Sequence, residues 1–91
     1  MIYKIWVEDR GDTSLVSRIV GERFKGFSIL SAVGIWEGKR EASLCIEIDS
    51  LGENCYRQVL EVAERLRVVF NQQAVLVQRL ESASVLVDGS K

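Results

Sequence analysis

No histidine occurs anywhere in the 91 residues. The commonest side-chain general acid or base is therefore missing, which excludes Ser-His and Cys-His nucleophilic catalysis together with His-bearing zinc sites. Cysteine is almost as scarce. Cys45 and Cys55 stand alone, ten residues apart and in different expected elements, with no C-x-x-C metal or redox motif. No apolar run is long enough to span a bilayer, and neither expected helix start is Gly-rich in the manner of a phosphate loop. Charge of one sign is also lacking. Residues 1–40 hold seven Lys/Arg against five Asp/Glu and residues 41–91 hold five against eight, so neither half sets up a field that would draw a polyanion. The N-terminal Met1 to Glu8 lacks the charged start and apolar core of a signal peptide, so a cytoplasmic location with reduced thiols and no membrane partner is expected.

What remains reads as one domain, residues 1–91, at ordinary globular values of 47% apolar and 27% charged residues. A chain this short buries a smaller fraction of its surface than a larger one, so self-association would help it. Residues 2–8 alternate, Tyr3, Ile5 and Val7 against Lys4, Trp6 and Glu8, as a half-buried strand does. Asp12 or Thr13 can cap a first helix over about 13–25, in which Val16, Ile19 and Val20 recur at helical spacing and Gly26 supplies a left-handed stop. Phe27 to Trp36 forms a second strand, its core side Phe27, Ile29, Val33 and Ile35. A bulge at Gly34 would reverse the facing of Trp36. After a hairpin tip at Glu37-Gly38-Lys39-Arg40, residues 43–49 alternate as a third strand.

Ser50-Leu51-Gly52-Glu53 fits a capping box, and Cys55, Val59, Val62, Ala63, Leu66 and Phe70 form a continuous helical stripe behind it. Asn71-Gln72-Gln73 ends that helix, and Ala74 to Glu81 returns as the fourth strand, with either Leu76 and Gln78 or Val75 and Val77 turned outward. In the tail, 82–91, the triplet Val85-Leu86-Val87 is a short fifth strand or a partner-binding arm. The order β-α-β-β-α-β points to an α+β ferredoxin-like sandwich: a four-stranded antiparallel sheet, strands one and three central, both helices on one face.

That architecture leaves one sheet face open. Lys4, Trp6, Leu30, Trp36, Cys45 and Glu47 are its candidate interface or ligand residues, with Trp6 as the anchor of a homodimer. Other groupings have plainer readings. Glu8, Asp9 and Asp12 could hold a divalent cation, but negative charge beside a helix start is favourable by itself. Lys39 and Arg40 read as a solvated turn. The third strand offers Ser43, Cys45 and Glu47 where RNA-recognition domains of this topology carry aromatics, so nucleic acid is not an expected partner. Cys45 has no His to activate it, Glu47 would raise its pKa, and Cys55 belongs to the core stripe. No catalytic residue, cofactor or metal is assigned.

The run Phe24-Lys25-Gly26-Phe27-Ser28-Ile29, then Gly34-Ile35-Trp36-Glu37-Gly38, then Asn71-Gln72-Gln73-Ala74-Val75-Leu76-Val77, resembles small uncharacterised bacterial proteins, including products of phages and of mobile elements such as integron cassettes. The resemblance implies a ferredoxin-like fold and no established activity. In that pattern Gly34, Trp36 and Gly38 shape the hairpin, while Gln72 and Gln73 end the helix or line a pocket at the start of strand four. Two functions stay open: a small self-associating binding or regulatory module without catalysis, or a ligand-binding or cofactor-free enzymatic dimer with its pocket at the exposed sheet face. A tightly packed sheet-to-sheet contact would favour the first, and an enclosed cavity near Trp6 and Trp36 with polar groups pointing inward the second.

Overall fold

The structure is a computed structural model that describes residues 1–49 and 55–81, without the side chain of Trp36. The expected capping box at Ser50 and the tail from residue 82 lie outside the described residues. Six elements follow in order: β1 (Ile2–Glu8), α1 (Thr13–Gly21), β2 (Ser28–Trp36), β3 (Lys39–Asp49), α2 (Tyr56–Val69) and β4 (Leu76–Leu80). The sheet order is β2-β3-β1-β4, every neighbouring pair antiparallel, which is the ferredoxin-like arrangement.

Alternation decides which face is buried. Tyr3, Ile5 and Val7 of β1 and Leu44, Ile46 and Ile48 of β3 pack in one cluster with Val16, Ile19 and Val20 of α1 and Val59, Val62, Ala63 and Leu66 of α2. Both helices therefore cover the same side of the sheet. Each fully buried aliphatic side chain here contributes roughly 1.5–3 kcal/mol of transfer free energy. Arg23 pairs with Glu61 at 2.7 Å and Arg65 with Glu22, tying α1 to α2 at the surface. Exposed pairs of this kind contribute at most about 1 kcal/mol each.

Several local expectations are corrected. Helix α1 ends at Gly21 rather than at residue 25, because the Arg23 and Phe24 amides both turn back onto the Val20 carbonyl and tighten the final turn. Gly26 is not among the positive-φ residues, so it is not the left-handed stop. The start of α1 is as expected: the Asp12 carboxylate accepts the Leu15 amide at 3.3 Å. Cys55 is the residue that caps α2, without a side-chain bond, and it is half-buried instead of core.

Strand β3 begins at Lys39, four residues before the expected start, because the hairpin closes in a tight two-residue turn. Glu37 and Gly38 have φ of 50° and 78°, and Trp36 pairs with Lys39 across them. Two successive positive φ values define the turn type whose twist matches that of paired strands. The β2–β3 register runs one to one from Ser28↔Glu47 to Trp36↔Lys39, so Gly34 carries no bulge and position 36 keeps the parity of 30, 32 and 34.

Candidate functional site: a notch in the stepped sheet

The strands do not stop together. The β1–β4 pairing begins at Trp6↔Leu76, β1 ends at the Glu8↔Ser43 pair, and β3 runs on to Lys39 with only β2 beside it. One further bond, from the Asp9 amide to the Ala42 carbonyl at 3.0 Å, closes the end of β1 onto β3. Beyond that point a step is left in the sheet. The α2–β4 connection crosses it.

That connection is firmly built. Asn71 takes a left-handed φ of 52°, its amide donates to the Val68 carbonyl at 3.1 Å, and the Gln72 amide donates to the Arg67 carbonyl at 2.9 Å. Arg67 returns a guanidinium bond to the Gln72 carbonyl at 3.4 Å while also holding Glu64. The hydrogen bond from Arg67 keeps the Glu64 carboxyl below its usual range and raises the guanidinium pKa in turn. Backbone Gln72 is thus fixed, yet its side-chain Nε2 is buried and donates to nothing. A buried amide donor without an acceptor costs roughly 1–3 kcal/mol, so such groups call for an explanation.

Beside this residue lies a cavity of about 560 Å³ lined by Glu8, Asp9, Arg10, Arg40, Glu41, Ala42 and the segment from Asn71 to Ala74. Two of its acids are already engaged. Arg10 pairs with Glu8 at 3.0 Å, and Asp9 accepts the Gly11 amide at 2.9 Å. Among the described residues no hydrogen bond or ion pair engages Arg40 or Glu41. The lining holds three carboxylates against two guanidinia, a net negative charge of one unit.

A second cavity of about 960 Å³ adjoins it, sharing Glu41, Gln73 and Ala74 and adding Trp6, Val75 and Leu76. Trp6 is held in place there, its indole Nε1 donating to Gln78 Oε1 at 2.7 Å. Leu76 is 59% exposed on the same wall. A charged compartment therefore opens into an apolar, aromatic one, with Glu41 between them. Among the described residues no group of three or more His, Cys, Asp or Glu side chains is placed to hold a metal ion.

The six face residues singled out in the sequence divide differently. Lys4 and Glu47 form an ion pair at 3.4 Å across β1 and β3. Cys45 lies opposite both Trp6 and Leu30, and it is 4% exposed, so the expected outward thiol is shielded. Burial, and after it the Glu47 charge, push the Cys45 thiol above its usual pKa. Leu30 is exposed at 45%. On β4 the outward set is Leu76 and Gln78, which pair with Trp6 and Lys4. Among the five of the six whose side chains are described, only Trp6 lines the paired cavities. Glu41 and Arg40 supply the free charges there, and neither carries a periodic signal that would single it out; Gln72 and Gln73 were marked by their place between helix and strand.

Among known proteins, no family model and no curated sequence matches the chain. Solved structures do. A phage SAM lyase in its apo state superposes with a TM-score of 0.63 at 22% identity, covering 84% of this chain and 75% of that one. A DUF3240 family protein from Shewanella baltica OS155 gives 0.62 at 11% identity, covering 94% and 96%. The divalent ion tolerance protein CutA1 from Ehrlichia chaffeensis gives 0.53 at 14% identity, covering 91% and 84%. The chain is thus similar in fold to small ferredoxin-like proteins. No helix among its described residues is long and apolar enough to cross a membrane.

Proposed function

We propose that this protein is a small self-associating protein that binds S-adenosylmethionine in the notch and cleaves it. The observation that carries the reading is the pairing of a charged compartment, where Glu41, Arg40 and the Gln72 amide have no partner, with an apolar one walled by Trp6. S-adenosylmethionine divides in the same way. Its methionyl end carries an ammonium, a carboxylate and a sulfonium, and its adenine is a flat ring suited to an aromatic wall. Arg40 is a donor for the carboxylate, and Glu41, at the junction, is a counter-charge for the cationic centres. The excess negative charge of the lining favours a ligand with net positive charge.

The missing histidine fits the same chemistry. A sulfonium departs as a neutral thioether, so breaking its C–S bond needs no acid to protonate the leaving group. The bonding pair goes to sulfur, and a carboxylate oxygen of the same methionyl chain supplies the replacing pair, forming a C–O bond at the carbon that sulfur leaves, so that a lactone and a neutral thioether are released. Likeness in fold to a phage SAM lyase adds weight to that substrate over other zwitterions.

Calorimetric titration with S-adenosylmethionine and with S-adenosylhomocysteine, which has no charge at sulfur, tests the reading. The sulfonium compound is expected to bind about tenfold more tightly, and chromatography is expected to show a thioether product. Absence of heat with S-adenosylmethionine would sink the proposal. Binding with the ligand recovered intact would return the protein to the class of non-catalytic binding modules.

A further inference from the structure

We propose that the free edge of β2 receives a strand from a second copy of this chain. Among the described residues β2 pairs only with β3, leaving the other edge of a nine-residue strand open. Natural edges are protected by charge, proline, bulges or shortness. Strand β2 has none of these. Ser28–Trp36 contains no charged residue, the whole chain contains no proline, and the register with β3 is continuous.

Among the described residues the distal half of β2 also lacks cover. Val33 is 58% and Ile35 71% exposed although both lie on the side of the sheet that the helices cover nearer the core. They belong to a hairpin arm in which β2 and β3 run on beyond the Glu8↔Ser43 pair that ends β1. A two-stranded ribbon alone is marginal in water, so an apolar arm of this kind gains from a third strand.

The sequence of β2 makes its own twin a suitable partner. Antiparallel pairing centred on Ala32 sets Ile29 opposite Ile35, Leu30 opposite Gly34 and Ser31 opposite Val33. Apolar meets apolar, large meets small, and no like charges are brought together. A strand of this length covers about 30 Å, and with side-chain layers about 5 Å deep on each face the contact hides on the order of 300 Å² per partner, a small interface to which the backbone ladder adds its hydrogen bonds. The contact would also clamp β2 against β3, the strand that carries Arg40 and Glu41 into the notch. The inference rests on the self-association in the proposed function and supplies its surface.

Sedimentation of the full chain, with Val33→Lys and Ile35→Lys alongside, tests it. Both side chains are exposed and outside the notch, so far-UV circular dichroism should be unchanged while self-association weakens about tenfold or more. A wild-type chain that stays monomeric at high concentration overturns both the self-association and its surface. An assembly that survives both lysines, or one that dissolves only on Leu76→Lys, overturns the edge while leaving self-association intact. Ligand binding is read separately by calorimetry, so its failure is not mistaken for either result.

Discussion

The two ends of the sheet are built on opposite terms. Where β1 begins, Tyr3 is 2% exposed and stacks on Tyr56 with ring centroids 5.9 Å apart, Arg79 lies 4.7 Å over the Tyr56 ring, and the N-terminal ammonium reaches Asp49 at 3.9 Å. There Ile2 pairs with Asp49 on one side and with Leu80 on the other. Where β1 ends, the strands stop in steps, Arg40 and Glu41 are free, and the Gln72 amide is buried without an acceptor. One end spends its polar groups on itself and the other holds them in reserve. In the proposed reading, stability and recognition are thereby separated along a single strand of seven residues.

Substitutions should separate them too. Tyr3→Ala at the closed end removes a buried ring from both the core and the stack, with an expected loss of about 3 kcal/mol in denaturant unfolding and no direct effect on notch chemistry. Glu41→Gln at the stepped end should do the reverse, weakening S-adenosylmethionine binding ten- to a hundredfold, about 1.4–2.8 kcal/mol by calorimetry, with an unchanged melting temperature. If Glu41→Gln instead lowered stability and spared binding, the contrast between the ends would be wrong. Gln72→Leu is a finer probe. It removes the buried unpaired donor at nearly constant volume, so stability should hold or rise by up to about 1 kcal/mol in denaturant unfolding.

The smallest expected effect concerns pH. Burial raises the pKa of Tyr3 above 10.0 and that of Cys45 above 9.0. For both groups the folded state prefers the protonated form. Their stabilising contribution is complete below the unfolded pKa values and declines as pH rises through the folded ones. Unfolding free energy should therefore begin to fall near pH 9. Cys45→Ser should flatten the first part of that fall and Tyr3→Phe the later part. A profile identical in all three proteins between pH 8 and 11 would remove these groups as its cause.

Most of the architecture was legible because the buried side chains obey simple periods. Tyr3, Ile5 and Val7 at period two, and Val59, Val62, Ala63 and Leu66 at helical spacing, marked their elements and faces, and crossover handedness then set the strand order. The notch was not legible, because it arises where strands stop. Lys39 to Ser43 carries a polar pattern that reads as a turn, yet β2 pairs with it residue by residue and extends the sheet beyond Glu8. Parity placed Cys45 on the outer side correctly and missed its burial, since shielding depends on the larger neighbours Trp6 and Leu30 across the strands. The reversal after α2 was expected from Asn71-Gln72-Gln73, but an unsatisfied donor is a property of the packed chain.

The left-handed turn at Asn71 has a consequence in time as well as in space. Once α2 has formed and Arg67 has gripped the next residue, the Gln72 side chain is confined, so its loss of rotamer freedom is incurred during folding. In the proposed reading, a ligand that arrives later meets a wall whose backbone is already set. Recognition at this wall should thus carry a small entropic penalty and proceed without waiting for a loop to order.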